Sequence, residues 1–134
     1  MADLSELLDA ARRAAEDSYS PYSHFRVGAA LLCKDGTVIT GTNVENRSYG
    51  LTNCAERSAI FTAISAGKKE FQAIAVYSPD SEQAVAPCGA CRQVLSEFTR
   101  GDFPVVFAGN SAKVETTLGE LYPFDSLQDL KKGT

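Results

Sequence analysis

Leu4, Leu7, Leu8, Ala11, Ala14 and Ala15 recur at three- and four-residue spacing among polar neighbours, which predicts an amphipathic helix over residues 4–17. Asp3 and Glu6 resemble a capping box at its start, and Pro21 stops any continuation. The apolar run 27–33, the Asp35-Gly36 pair and the segment 37–40 predict a hairpin. Residues 41–53 are polar and rich in Gly and Asn, the composition of a loop. From Cys54 onward the helical period returns through Ile60, Phe61 and Ile64, and Gly67 marks its end. Residues 73–77 read as a buried strand stopped by Ser78-Pro79-Asp80, and 88–98 as a helix with Gly101 past its end. A second buried strand is expected at 105–108 and an edge strand at 113–117. Thr117 and Glu120 form a second capping-box pattern before Pro123, and a short helix is expected over 126–131. The order α-ββ-α-β-α-β-β-α predicts an α/β domain with its sheet between helices. No repeat, low-complexity tract or linker divides the chain, so one domain is expected over residues 1–134.

A chain of 134 residues can bury a core without disulfide staples. Its 44% apolar and 22% charged content excludes disordered and collagen-like classes. A net charge of −4 argues against a nucleic acid polymer as partner, since phosphates call for a basic field. No apolar run approaches the ~20 residues of a membrane span. The acidic stretch Met1-Ala2-Asp3-Leu4-Ser5-Glu6 is unlike the positive start of a signal peptide, so a cytoplasmic location is expected. That compartment keeps thiols reduced, which turns clustered cysteines towards metal binding or catalysis.

Three of the four cysteines lie in two short stretches, Cys54-Ala55-Glu56-Arg57 and Pro87-Cys88-Gly89-Ala90-Cys91-Arg92, each where a loop becomes a helix. Side chains of a first turn lean towards the helix N-terminus, so Cys54 can reach an ion beyond that end. Cys88 and Cys91 are neighbours on a helical surface and can grip the same ion. Three thiolates select zinc and leave a fourth position open, the pattern of a catalytic site. Glu56 is then placed to move protons beside the ion without binding it. Zinc with three thiolates carries a surplus negative charge, and Arg57 and Arg92 share helical faces with the ligands that would offset it. Three blander patterns compete: a closed four-cysteine site including Cys33, a Cys-x-x-Cys redox pair, and a zinc role for His24, the one histidine. Cys33 ends an apolar strand where a buried thiol is common, and His24 sits in a turn suited to loop hydrogen bonding. A redox pair leaves Cys54 and Glu56 without a role.

The Cys-x-Glu and Pro-Cys-x-x-Cys pair is similar to the zinc deaminase signature, with Cys at the position of its His. Taken with residues 19–30 (Tyr-Ser-Pro-Tyr-Ser-His-Phe-Arg-Val-Gly-Ala-Ala) and Asn43-Val44-Glu45-Asn46, it makes the chain resemble the small, three-cysteine cytidine deaminases over nearly its whole length. That resemblance implies a three-layer α/β/α sandwich around a mixed sheet of about five strands. It implies a hydrolase of pyrimidine salvage that converts cytidine and 2′-deoxycytidine to uridine and 2′-deoxyuridine with release of ammonia. One Zn²⁺ per chain would be held by Cys54, Cys88 and Cys91, with Glu56 as proton shuttle. Asn43 and Glu45 would meet the ribose, Phe25 the pyrimidine face, and Ala55 the substrate as well. A homotetramer is implied too, with Tyr49 lent to a neighbour's site. The family often has Leu-Leu-Pro and, after two further residues, a ring-contacting Phe. Here Ser126 stands at that offset and Phe124 directly follows Pro123, which leaves the role of Phe124 open. A deaminase of a nucleoside antibiotic such as blasticidin S shares the zinc motif and is the alternative, with a non-catalytic zinc or redox module behind it.

Overall fold

The computed structural model describes residues 4–130. Helix α1 (Leu4–Ala15) buries Leu7, Ala11 and Ala15 along one stripe. It stops short of residue 17 because Glu16, Asp17 and Ser18 bond back to Arg13, Ala14 and Ala15, tightening the last turn. Asp3, half of the first expected cap, and Lys131, the end of the last expected helix, lie outside the described residues. Within them that last segment is a 3₁₀ turn, Gln128–Leu130.

Strands β1 (Gly28–Cys33) and β2 (Val38–Thr42) form the expected hairpin, with Gly36 at φ +91° between them. Helix α2 (Ala55–Ser65) leads to β3 (Phe71–Tyr77), and helix α3 (Gly89–Phe98) to β4 (Pro104–Ala108). The edge strand β5 (Lys113–Thr117) runs into the single turn α4 (Leu118–Leu121), whose first N–H groups include Glu120 N donating to the Thr117 hydroxyl. The sheet order is β2-β1-β3-β4-β5, parallel only between β3 and β4, so the sheet is mixed. Residues 41–53 are more ordered than a loop: Val44 bridges Tyr19 in parallel and Asn53 in antiparallel fashion, with a 3₁₀ turn at Tyr49–Leu51. Main-chain pairing of this kind leaves no hydrophobic period to read.

Alternate strand residues face opposite layers, as the two-residue period of a strand requires. Ala29, Leu31, Ile74, Val76, Val105 and Phe107 pack with Ala59, Ile60, Ala63 and Leu95 on the side of α2 and α3. Ala30, Leu32, Ala73, Ala75 and Val106 pack with Leu7 and Ala11 of α1 on the other. The result is the three-layer α/β/α sandwich. Helix and sheet approach so closely that a Cβ on Gly28 would lie 1.9 Å from the Ala11 carbonyl oxygen, and one on Gly41 2.4 Å from Ala59 N. Both positions therefore need glycine. Because α2 and α3 share one side of the sheet, their N-termini meet beyond the end of β3. Among the described residues, no helix is long and apolar enough to cross a membrane.

Candidate active site

Cys54 is the residue before α2 and Cys88 the residue before α3, both with extended backbone. Their side chains project past the two helix ends and meet with Cys91, one turn into α3. Cys54 Sγ lies 3.6 Å from Cys88 Sγ, which lies 3.5 Å from Cys91 Sγ. All three sulfurs fall within 4.8 Å of one another. Tetrahedral zinc with thiolates at about 2.3 Å separates its sulfurs by about 3.8 Å, so this donor set fits one zinc. Cys91 is buried, Cys54 half-buried and Cys88 exposed, which opens the set on the Cys88 side. Cys33 lies apart in the core, its thiol pushed up by burial. His24 is not one of the converging ligands.

The Cys54 thiol is held well below its ordinary value, first by hydrogen bonding with the Cys91 thiol. Arg57 adds to this, donating Nη2 to Cys54 Sγ at 3.2 Å. The Cys91 thiol is pushed up correspondingly by Cys54 and by burial. Cys54 thus ionises before Cys91. Arg57 Nε is buried without a hydrogen-bond partner. Such an orphan donor is costly, and the Cys54 charge beside the guanidinium offsets it. Arg92 bonds to main-chain carbonyls. It donates Nε to the Pro87 carbonyl at 2.8 Å and Nη1 to the Leu121 carbonyl at 2.7 Å, rather than to a thiolate. It ties the chain just before Cys88 to the last residue of α4, where a helix leaves its carbonyls free.

Glu56, in the first turn of α2, is 4% exposed, and burial pushes its carboxyl up to about 7. The neighbouring Cys54 charge adds to that rise. A carboxyl in this range can both take and give a proton near neutral pH. Ala55, beside it, is fully buried.

The other expected contacts gather around the 19–27 segment. Asn43 donates Nδ2 to the Phe25 carbonyl at 2.8 Å, and its Oδ1 accepts from Val27 N at 2.9 Å and from the Ser18 hydroxyl. Glu45 Oε1 accepts from Tyr22 N at 3.0 Å and Ser23 N at 3.1 Å, and Oε2 accepts from the Ser23 hydroxyl. The Ser23 bond leads in holding the Glu45 carboxyl below its usual range. Asn43 and Glu45 therefore organise the loop that carries Phe25. Tyr49 is 77% exposed and meets Tyr22 edge-on at 6.2 Å. Phe124, at φ +56°, is 99% exposed. Ser18 and Asp80 are structural partners of this region with no mark in the sequence, because Asn43 and Arg26, which they meet, are distant in the chain.

The family model for the cytidine and deoxycytidylate deaminase zinc-binding region matches residues 1–107. The chain is 48% identical over 122 residues to a cytidine deaminase of Sporosarcina psychrophila, covering 90% of this chain and 89% of that one. It is 51% identical over 122 residues to one of Halalkalibacterium halodurans, with 90% and 92% covered. A blasticidin-S deaminase of Bacillus cereus is 36% identical over 125 residues, with 88% of each covered. The crystal structure of cytidine deaminase from Burkholderia pseudomallei superposes with a TM-score of 0.87 at 47% identity, covering 92% of this chain and 98% of that one.

Proposed function

The chain belongs to the cytidine and deoxycytidylate deaminase zinc-binding family, and we propose that it hydrolyses cytidine and 2′-deoxycytidine to uridine and 2′-deoxyuridine, releasing ammonia. One observation carries this reading. Three thiols within reach of a single ion converge at two helix N-termini, with the buried Glu56 beside them. Cys54, Cys88 and Cys91 are the residues that would hold zinc. When bound, zinc supplies a Lewis-acidic position that makes water a nucleophile near neutral pH.

The chain's own residues account for the proton traffic. Glu56 takes a proton from the attacking water and passes it to ring N3 as the C4–O bond forms. It then takes the proton of the new C4 hydroxyl and delivers it to the exocyclic nitrogen, which leaves as ammonia as the C4–N bond breaks and the C4=O bond forms. Arg57 draws charge from Cys54 through its 3.2 Å bond. Phe25 lies against the pyrimidine, and Ala55 closes the site beside Glu56. Asn43 keeps one amide hydrogen beyond its bond to Phe25, and Glu45 keeps lone-pair capacity beyond its three bonds, enough for a ribose hydroxyl. The exposed Tyr49 and Tyr22 suit an interface at which a homotetramer completes each site. The 1–134 chain acts as one domain in this scheme, in the cytoplasm.

The antibiotic-deaminase alternative is weaker. Identity to the blasticidin-S deaminase is 36%, against 51% to the Halalkalibacterium cytidine deaminase. A redox pair is also disfavoured, since Cys54 Sγ lies almost as near to Cys88 as Cys91 does, at 3.6 Å against 3.5 Å. The test is ammonia release by protein of measured zinc content, with cytidine and blasticidin S as parallel substrates. Zinc-dependent release from cytidine is expected. Release from blasticidin S alone, or a zinc-loaded protein inert towards cytidine, would overturn the reading.

A further inference from the structure

Phe25, Arg26 and Val27 lead into β1, yet much of their main chain is held by side chains rather than by a strand ladder. Phe25 N donates to the Ser23 hydroxyl at 3.0 Å, and the Phe25 carbonyl accepts from Asn43. Val27 N donates to Asn43 Oδ1, and its carbonyl accepts from Asn43 N at 3.2 Å. Between them, Arg26 N donates to Asp80 Oδ2 at 2.8 Å, across 54 positions of sequence. His24, just before, has φ +57°, a left-handed conformation uncommon for a residue with a side chain.

Asp80 does more than accept that one bond. Arg26 Nε donates to its Oδ2 at 3.0 Å and Arg26 Nη2 to its Oδ1 at 2.9 Å, a bidentate pair added to the main-chain bond. Arg26 Nη1 also donates to Glu16 Oε2 at 3.0 Å, just past the end of α1. The Asp80 loop is itself fixed. Asp80 N donates to the Ser78 hydroxyl at 3.2 Å, and Asn110 Nδ2 donates to the Pro79 carbonyl at 2.7 Å. From there the chain runs to Cys88.

Resting on the reading of Phe25 as the ring contact, we propose that Asp80 and Arg26 are positioning residues: their clamp sets where Phe25 stands relative to the cysteine cluster. One end of the clamp holds the residue next to Phe25, and the other holds the loop that delivers Cys88. A contact with the ring face away from the reacting carbon is made equally in ground and transition states, so its loss appears in KM rather than kcat.

The experiment compares steady-state kinetics on cytidine, zinc content and Tm for Asp80→Ala, Arg26→Gln, Phe25→Ala and the Phe25→Ala/Asp80→Ala double variant. Asp80→Ala and Arg26→Gln are expected to raise KM about fivefold, the scale of one partly exposed ion pair, with kcat and zinc content unchanged. In the Phe25→Ala background, Asp80→Ala should add nothing, since both act through one contact. Arg26→Gln keeps the main-chain bond and removes the guanidinium pair, so it reports on the clamp even if Asp80→Ala folds poorly. An unchanged KM in Arg26→Gln, additive effects in the double variant, or a parallel fall in kcat and zinc would overturn the clamp. If Phe25→Ala alone leaves KM unchanged, the reading of Phe25 falls and takes the clamp with it. If Phe25→Ala raises KM and Arg26→Gln does not, only the clamp falls.

Discussion

Arg57 sets its Nη2 3.2 Å from Cys54 Sγ, one helical turn along α2 from the sulfur it meets. The spacing of three residues and the lean of helical side chains towards the N-terminus produce this contact. A three-thiolate zinc site is one unit more negative than a site with one His and two Cys, and a guanidinium on a sulfur draws off that surplus. Arg57→Ala should therefore lower turnover in the native protein and do clearly less harm once Cys54→His has removed the charge. A double-mutant cycle on kcat, with zinc measured in each variant, reads the coupling. Additivity would show that Arg57 does not act through Cys54.

Glu56 is buried beside the cysteines but outside the ligand set. Glu56→Gln preserves shape and removes the proton carrier. Zinc content and Tm should hold while turnover falls by at least ~10²-fold, the scale of general acid–base catalysis. Near-native turnover in this variant would remove Glu56 from the chemistry.

Cys33 and Cys91 are both buried thiols, yet only Cys91 belongs to the converging set. Cys33→Ser should retain one zinc per chain and lose about 1–3 kcal/mol of stability from burying a hydroxyl in the core. Cys91→Ser should lose zinc. Equal zinc in the two variants, measured by mass spectrometry of the metal, would contradict the ligand assignment.

Acid stability follows from Asp35, whose carboxyl is held well below the usual range by Lys68 Nζ at 2.7 Å and then by Thr37 N. A carboxylate with a depressed folded value stabilises the protein above its unfolded pKa of about 3.9, and that stabilisation is lost as pH falls towards the folded value. Wild type should exceed Asp35→Asn in Tm at neutral pH by a small margin, because the pair is exposed and screened. The margin should close below about pH 4. Taking the difference between the proteins cancels the loss of zinc that acid causes in both. A margin independent of pH would mean that the ion pair contributes nothing.

The expected tetramer has a direct readout. Light scattering should give about four times the 14.3 kDa chain mass, and Tyr49→Ala should impair activity if the residue serves a neighbour's site. A fully active monomer would defeat that assembly.

Local chemistry carried most of what could be read from the chain alone. The period of Leu7, Ala11 and Ala15, the Asp35-Gly36 turn and the apolar runs of β1, β3 and β4 depend on neighbours a few residues away, so element type was legible. Cys88 and Cys91 were legible as a pair for the same reason, and Arg57 as the partner of Cys54. Tertiary structure alone decided whatever joins distant segments. It brought Cys54 within 3.6 Å of Cys88, turned Arg92 towards the Pro87 and Leu121 carbonyls, and placed Asp80 against Arg26. Helical spacing gave Arg57 and Arg92 the same standing, because it says which residues share a face but not what stands opposite. Asn43, Glu45 and Ser23 show the limit most plainly. Their hydrogen bonds hold an irregular backbone with no period, and only the folded sheet and its loops bring donors and acceptors together.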